Sequence, residues 1–177
     1  MSKYTETESG LAVPSEKLAV GGIFDVFVNG EFVESVPNLV TNEGLDHMLD
    51  VALKNGSQNA NWYITAFKGN VTPQATWTAA NFDTNATEIT GTDVSETTRE
   101  AWTGGAVSGQ QVDNYASKAE FTVATATLDL YGLAMLSTSA FGSTTGVLLA
   151  ATEFSAVRNL LLNDVIGLGY RFSMASS

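Results

Sequence analysis

The chain has 177 residues, enough for one domain that buries well over half of its unfolded surface. Only 15% of the residues are charged, the net charge is −11 and there is no cysteine. That balance excludes disulfides and thiolate metal sites. It also argues against a DNA or RNA surface, because phosphate binding needs clustered Lys and Arg and the eight here are scattered.

Residues 1–20, MSKYTETESGLAVPSEKLAV, are polar, aperiodic and without the unbroken apolar core of a signal peptide. We expect an extended arm that orders against a neighbouring subunit, with Tyr4, Leu11, Val13 and Leu18 at the contact. The bland alternative is a frayed terminus. Residues 21–177 then form a single β-rich domain. No window approaches the roughly 18 consecutive apolar residues of a transmembrane helix, so no membrane partner is expected. The sequons at Asn55, Asn70 and Asn85 read as chance in a Thr-rich chain.

From Gly22 a hairpin is predicted, 23–28 and 31–35, turning on Asn29-Gly30, where a type I′ turn needs positive φ twice. Pro37 stops the second strand. One helix follows, about 42–55: Leu45, Met48, Leu49, Ala52 and Leu53 fall at helical spacing and should cover the sheet. Thr41 or Asn42 caps it, and Gly56 supplies a left-handed exit. Residues 62–67, WYITAF, read as a strand.

The long polar passage 68–118 carries Trp77, Phe82, Ile89, Trp102 and Tyr115 at wide intervals. Loops this long are usually functional or engaged by a partner, so Trp77, Phe82 and Trp102 join the interface residues. Strands are expected again at 119–127, at the more continuously apolar 128–137, and at 147–154. A final hairpin arm begins at 160–162 and runs through 164–174, where Ile166, Leu168, Tyr170 and Phe172 share one face at period two. About eight short strands with turns between them favour an antiparallel β-sandwich or barrel, jelly-roll-like, with one covering helix and an N-terminal arm.

No catalytic constellation emerges. His47 is the single histidine, and its neighbours Asp46 and Asp50 do not make a convergent ligand set, so it reads as surface. No G-x-S-x-G elbow supports a triad, and the EF-hand spacing is missing. Asp83, Glu88, Asp93, Glu96 and Glu100 cluster near Trp77 and Trp102, which leaves a sugar-binding module or glycosidase as a distant alternative. The commoner reading is solvated acids with aromatics that pack the loops down. We therefore expect no enzyme, no cofactor and no metal.

Longer strings add more. NLVTNEGLDHMLDV at 38–51, WYITAF at 62–67, ETTREAW at 96–102, SKAEFT at 117–122, LYGLA at 130–134 and the ending YRFSMASS resemble small virion proteins of tailed bacteriophages, above all capsid decoration (cement) proteins. The resemblance spans roughly residues 21–177. It departs at Thr72-Pro73, where an aromatic is expected. It implies a non-enzymatic protein on the capsid exterior, assembled in the host bacterial cytoplasm, with the major capsid protein as partner. A homo-oligomer, dimer or trimer, is implied as well. A tail, fibre or baseplate component is the alternative.

Overall fold

A computed structural model describes residues 4–6, 12–14 and 18–176. In chain order the elements are β1 (Tyr4–Glu6), β2 (Ala12–Pro14), β3 (Leu18–Val28), β4 (Glu31–Pro37), β5 (Leu39–Val40), α1 (Asn42–Leu53) and β6 (Trp62–Phe67). There follow α2 (Phe82–Ala86), β7 (Glu100–Trp102), β8 (Gln111–Asp113), β9 (Ala119–Thr122), β10 (Thr127–Leu136), β11 (Leu148–Leu161) and β12 (Val165–Ser176).

Two antiparallel sheets face each other. The first has the order β5-β11-β10-β6-β7 and the second β4-β3-β12-β8, with β9 also on β12. Apolar residues alternate inward along the strands. Ile64, Ala66, Leu133 and Met135 of the first sheet meet Phe24, Val26, Ile166, Leu168 and Tyr170 of the second in one core. The architecture is a β-sandwich with a helix, and the barrel option falls because the sheets do not close.

The local turn chemistry is as expected. Asn29 and Gly30 both have positive φ, 51° and 82°, so β3 folds back on β4 through a two-residue loop. The free edge of β12 is shared by β8 and β9 in succession. Between them the buried Asn114 stands in for the missing ladder bonds. Its side-chain oxygen accepts from Tyr170 N at 2.6 Å, and its amide donates to Leu168 O at 3.3 Å.

Several boundaries differ from the sequence reading; the strand expected at 119–127, for one, ends at Thr122. β3 begins at Leu18 and pairs Leu18, Ala19 and Val20 with Ser176, Ala175 and Met174, so the last residues assigned to the arm belong to the sheet. Within the arm, β1 and β2 form a two-stranded antiparallel sheet. Finally, β11 is one 14-residue strand in place of two short ones. The strand continues through Ser155 to Asn159 because Arg158 and Asn159 pair with Leu130 and Asp129 of β10 and their side chains bond at the surface.

The first sheet is buried on both faces. Phe67, Ala134, Leu136, Leu148 and Ala151 point away from the sandwich core and make a second cluster with Trp77, Ala79, Phe82 and Ala86. The passage after β6 thus returns as a third layer. Its rings lock edge-on: Phe67 with Trp77 at 6.3 Å, Phe67 with Phe82 at 6.2 Å, and Trp77 with Phe82 at 6.3 Å.

The layer is latched by an ion pair with no solvent exposure at either side chain, Glu88 with Arg99. Arg99 Nε and Nη2 donate to the two carboxylate oxygens at 2.6 and 2.8 Å. Its Nη1 donates to Thr138 O and Oγ1, and Gly142 N donates to Glu88 at 2.8 Å. Glu88 had read as a solvated acid.

A buried pair that loses one partner leaves a bare charge. Arg99→Ala should therefore lower unfolding free energy in urea by about 3–5 kcal/mol, while Glu88→Leu with Arg99→Met should recover most of the loss. A double variant no better than the single one would show that the pair itself is not what Arg99→Ala breaks.

Candidate functional site

The surfaces available to a partner follow from how α1 is anchored. Thr41 Oγ1 accepts from Gly44 N at 3.0 Å and donates to Leu148 O. Glu43 Oε2 accepts from Leu148 N at 2.6 Å and from Ala79 N at 2.8 Å. Gly44 lies so close to β11 that a Cβ there would stand 2.5 Å from Leu149 O. These contacts fix the rotation of the helix about its own axis. Gly44, His47, Met48 and Val51 turn inward, and Met48 closes the mouth between the two sheets beside Met135, Leu149 and Tyr170.

The consequence reverses the sequence expectation for the helix. Leu45, Leu49 and Leu53 do not cover the sheet; they are 37%, 57% and 78% exposed. The physical reason is that the closest approach needs a residue without a side chain, so the face bearing Gly44 wins over the leucine face. The exit also differs. Asn55 takes the left-handed conformation, φ 60°, and Gly56 N bonds back to Asp50 O at 3.0 Å. His47, read as surface, is half-buried, with its Nε2 3.0 Å from Asn59 Nδ2 and its ring edge-on to Trp62.

Trp62 and Trp102 are cross-strand partners on β6 and β7 at this same end. Trp102 Nε1 donates to Tyr170 O at 3.1 Å. Beneath them lies an apolar hollow of about 180 Å³. Beside them opens a cleft of about 410 Å³ lined by Gln58, Asn59, Asn61, Thr103 and the two indoles, without an ionisable side chain. In a chain this acidic, that neutrality is distinctive.

The far end of the sandwich carries a second exposed apolar group, Phe32, Leu161 and Leu162. Here the β3–β4 turn is pinned to the β11–β12 turn. Asn29 N donates to Val165 O at 2.8 Å, Asn29 Nδ2 to Asp164 Oδ1 at 2.9 Å, and Val165 N to Asn29 Oδ1 at 2.9 Å. The bonds from Asn29 and from Leu161 N hold the Asp164 carboxyl below its ordinary value. Leu148 and Leu161 of β11 pair with Leu136 and Thr127 of β10, and nine steps at about 3.3 Å each put the two ends roughly 30 Å apart.

The expected interface residues divide. Trp77 and Phe82 are core residues of the third layer, so neither offers its ring to a partner. Trp102 is half-buried at the cleft, and Leu18 is exposed at the start of β3. Tyr4 and Val13 lie in the paired strands β1 and β2, and Leu11 is outside the described residues.

The loop acids are tied to structure. Asp83 accepts from Glu88 N, Glu96 accepts from Thr122 N, and Asp93 pairs with Lys68 at 2.8 Å. Burial alone would raise Asp93, but the bonds from Lys68 and Thr90 outweigh it and hold the carboxyl low. Glu100 goes the other way, raised by burial and by the charge of Glu96. Among the described residues no three His, Asp or Glu side chains gather as a metal site, and no helix is long and apolar enough to cross a membrane.

The sequence reading missed the amide cleft, although the run Gln58-Asn59-Ala60-Asn61 leading into Trp62 carried its signal. It also missed Phe32, Leu161 and Leu162, which looked like ordinary strand residues. The chain matches no protein-family model and no curated protein sequence.

Gly44→Ala tests the anchoring. Alanine is the better helix former by about 1 kcal/mol, yet its Cβ would meet the backbone of Leu149. The expected net result in urea unfolding is a loss of about 1–3 kcal/mol. A stabilised variant would show that the helix does not depend on this close approach.

Proposed function

We propose that the chain is a non-enzymatic structural protein of a tailed-phage particle, one that binds the outer capsid surface and cements the shell. The observation that supports this most is the pair of exposed apolar surfaces at opposite ends of one stiff sandwich, the α1 leucines and the Phe32–Leu161–Leu162 group. A cross-linker must hold two bodies at once, and a rigid two-ended module does so without first having to order itself. The resemblance of the 38–51 string and the segments after it to decoration proteins points the same way.

The major capsid protein is the proposed partner, and the chain acts there as a homo-oligomer on the capsid exterior. Binding only the assembled lattice stabilises it by mass action. A net charge of −11 keeps a protein with exposed leucines soluble before assembly and discourages adhesion to packaged DNA.

Two measurements bear on this together. Adding the protein to bare capsids should raise their melting temperature, with labelling over the head and not the tail. Equal melting, or tail labelling, would remove the cement reading and favour a tail or baseplate component. Removing residues 2–17 should weaken capsid binding at least about tenfold and leave the domain's own melting unchanged. The cut stops there because residues 18–20 are paired in β3.

A second reading, binding of a neutral glycan, is favoured by one observation, the uncharged cleft between Trp62, Trp102 and the amides. Indole faces take the C–H faces of sugars, and side-chain amides both donate and accept toward hydroxyls. Trp77 has no part in it. Titration with neutral oligosaccharides to about millimolar should perturb the tryptophan fluorescence of the wild type and not that of Gln58→Ala with Asn61→Ala. An unperturbed wild type removes this reading.

A further inference from the structure

We infer that the outward face of α1 is a two-fold interface, and that its occupant is α1 of a second copy of this chain. The inference deepens the homo-oligomer of the cement reading by naming its contact, and the association is measured without capsids, so it can fail while the capsid binding stands. It starts from the row Leu45, Leu49, Leu53, spaced by four residues and therefore collinear along one side of the helix, and exposed along its whole length. An apolar ridge of this kind packs into the groove beside the matching ridge of another helix.

The charges around the ridge select the occupant. Asp46 and Lys54 are both exposed and lie on the same flank of the leucines, one near the start of α1 and one at its end. A two-fold axis through Leu49 sets the helices antiparallel, with Leu45 facing the second copy's Leu53. It also brings Lys54 alongside Asp46 of the second copy, twice by symmetry, and places the helix dipoles in opposition. Asp50, the other acid on that flank, is folded back on its own chain: a Cβ on Gly56 would lie 2.0 Å from Asp50 Oδ2. A parallel arrangement would place this flank of the two copies on opposite sides of the seam and forfeit both ion pairs.

The size of the contact sets its strength. Twelve residues make a helix about 18 Å long, and a pair of that length buries less than the roughly 1,200 Å² of a standard stable interface. The dimer should thus be weak in free solution. On a shell, where neighbouring copies are held close, the effective concentration would carry it to completion.

Sedimentation equilibrium of the full chain between about 1 µM and about 1 mM reads the association directly. The expected result is a concentration-dependent dimer that Leu49→Asp weakens at least about tenfold. Circular dichroism and an unchanged melting temperature establish that this variant folds. Asp46→Lys alone and Lys54→Asp alone should each associate less than the wild type, because like charges then face each other. An equimolar mixture of the two should recover the dimer, because opposite charges face again. A wild-type chain that stays monomeric across the range, or a dimer indifferent to Leu49→Asp, overturns the inference. So does a mixture no better than its components. If Leu49→Asp leaves a monomer unchanged but abolishes binding to capsids, the face belongs to the capsid protein and the inference is likewise overturned.

Discussion

The buried pair of Glu88 and Arg99 is the constraint on which the layering depends. The first sheet carries apolar side chains on both faces, and only one of these meets the second sheet. The other has to be roofed by the passage between β6 and β7, which is largely polar and has just one short helix of its own. Three rings supply the contact area, but rings alone do not fix a register. The guanidinium does, because its planar fork accepts one arrangement of the carboxylate, while its third nitrogen reaches the 137–146 loop through Thr138. Desolvating two charges costs about as much as their attraction returns. The pair therefore contributes a single arrangement of the roof more than it contributes net stability.

From that roof follows the position of the helix. Glu43 bonds both to β11 and to Ala79 in the roof, so the start of α1 is held from two sides. The closest approach falls on Gly44, and the leucine row is left outward. The exposed face is thus a consequence of packing elsewhere in the molecule.

This is also why some features were legible in the sequence and others were not. The Asn29-Gly30 hairpin, the bounds of β6 and the alternation of β12 are set by neighbours along the chain, and the sequence displays them directly. The existence and N-cap of α1 were equally legible. Its orientation was not, because periodicity identifies an apolar stripe without saying what lies opposite it. Trp77 and Phe82 in a polar run fit either a partner's surface or a roof; two-sided burial of β10 decides, and the continuous apolar run of that strand was the one hint. Nothing in an 11-residue separation marks Glu88 and Arg99 as a pair.

A chain that leaves a row of leucines in water has to avoid unspecific collapse, and the composition shows how. Acids outnumber bases by more than two to one, and the exposed apolar groups are parted to opposite ends with a hydroxyl- and amide-rich surface between them. Each group is too small to hold a partner firmly alone. On the proposed reading association depends on geometry: free copies meet weakly, whereas copies aligned on a lattice engage both ends and gain from every contact simultaneously. Small patches, a stiff body and a large negative charge belong together, since enlarging the patches or softening the sandwich would trade ordered assembly for aggregation.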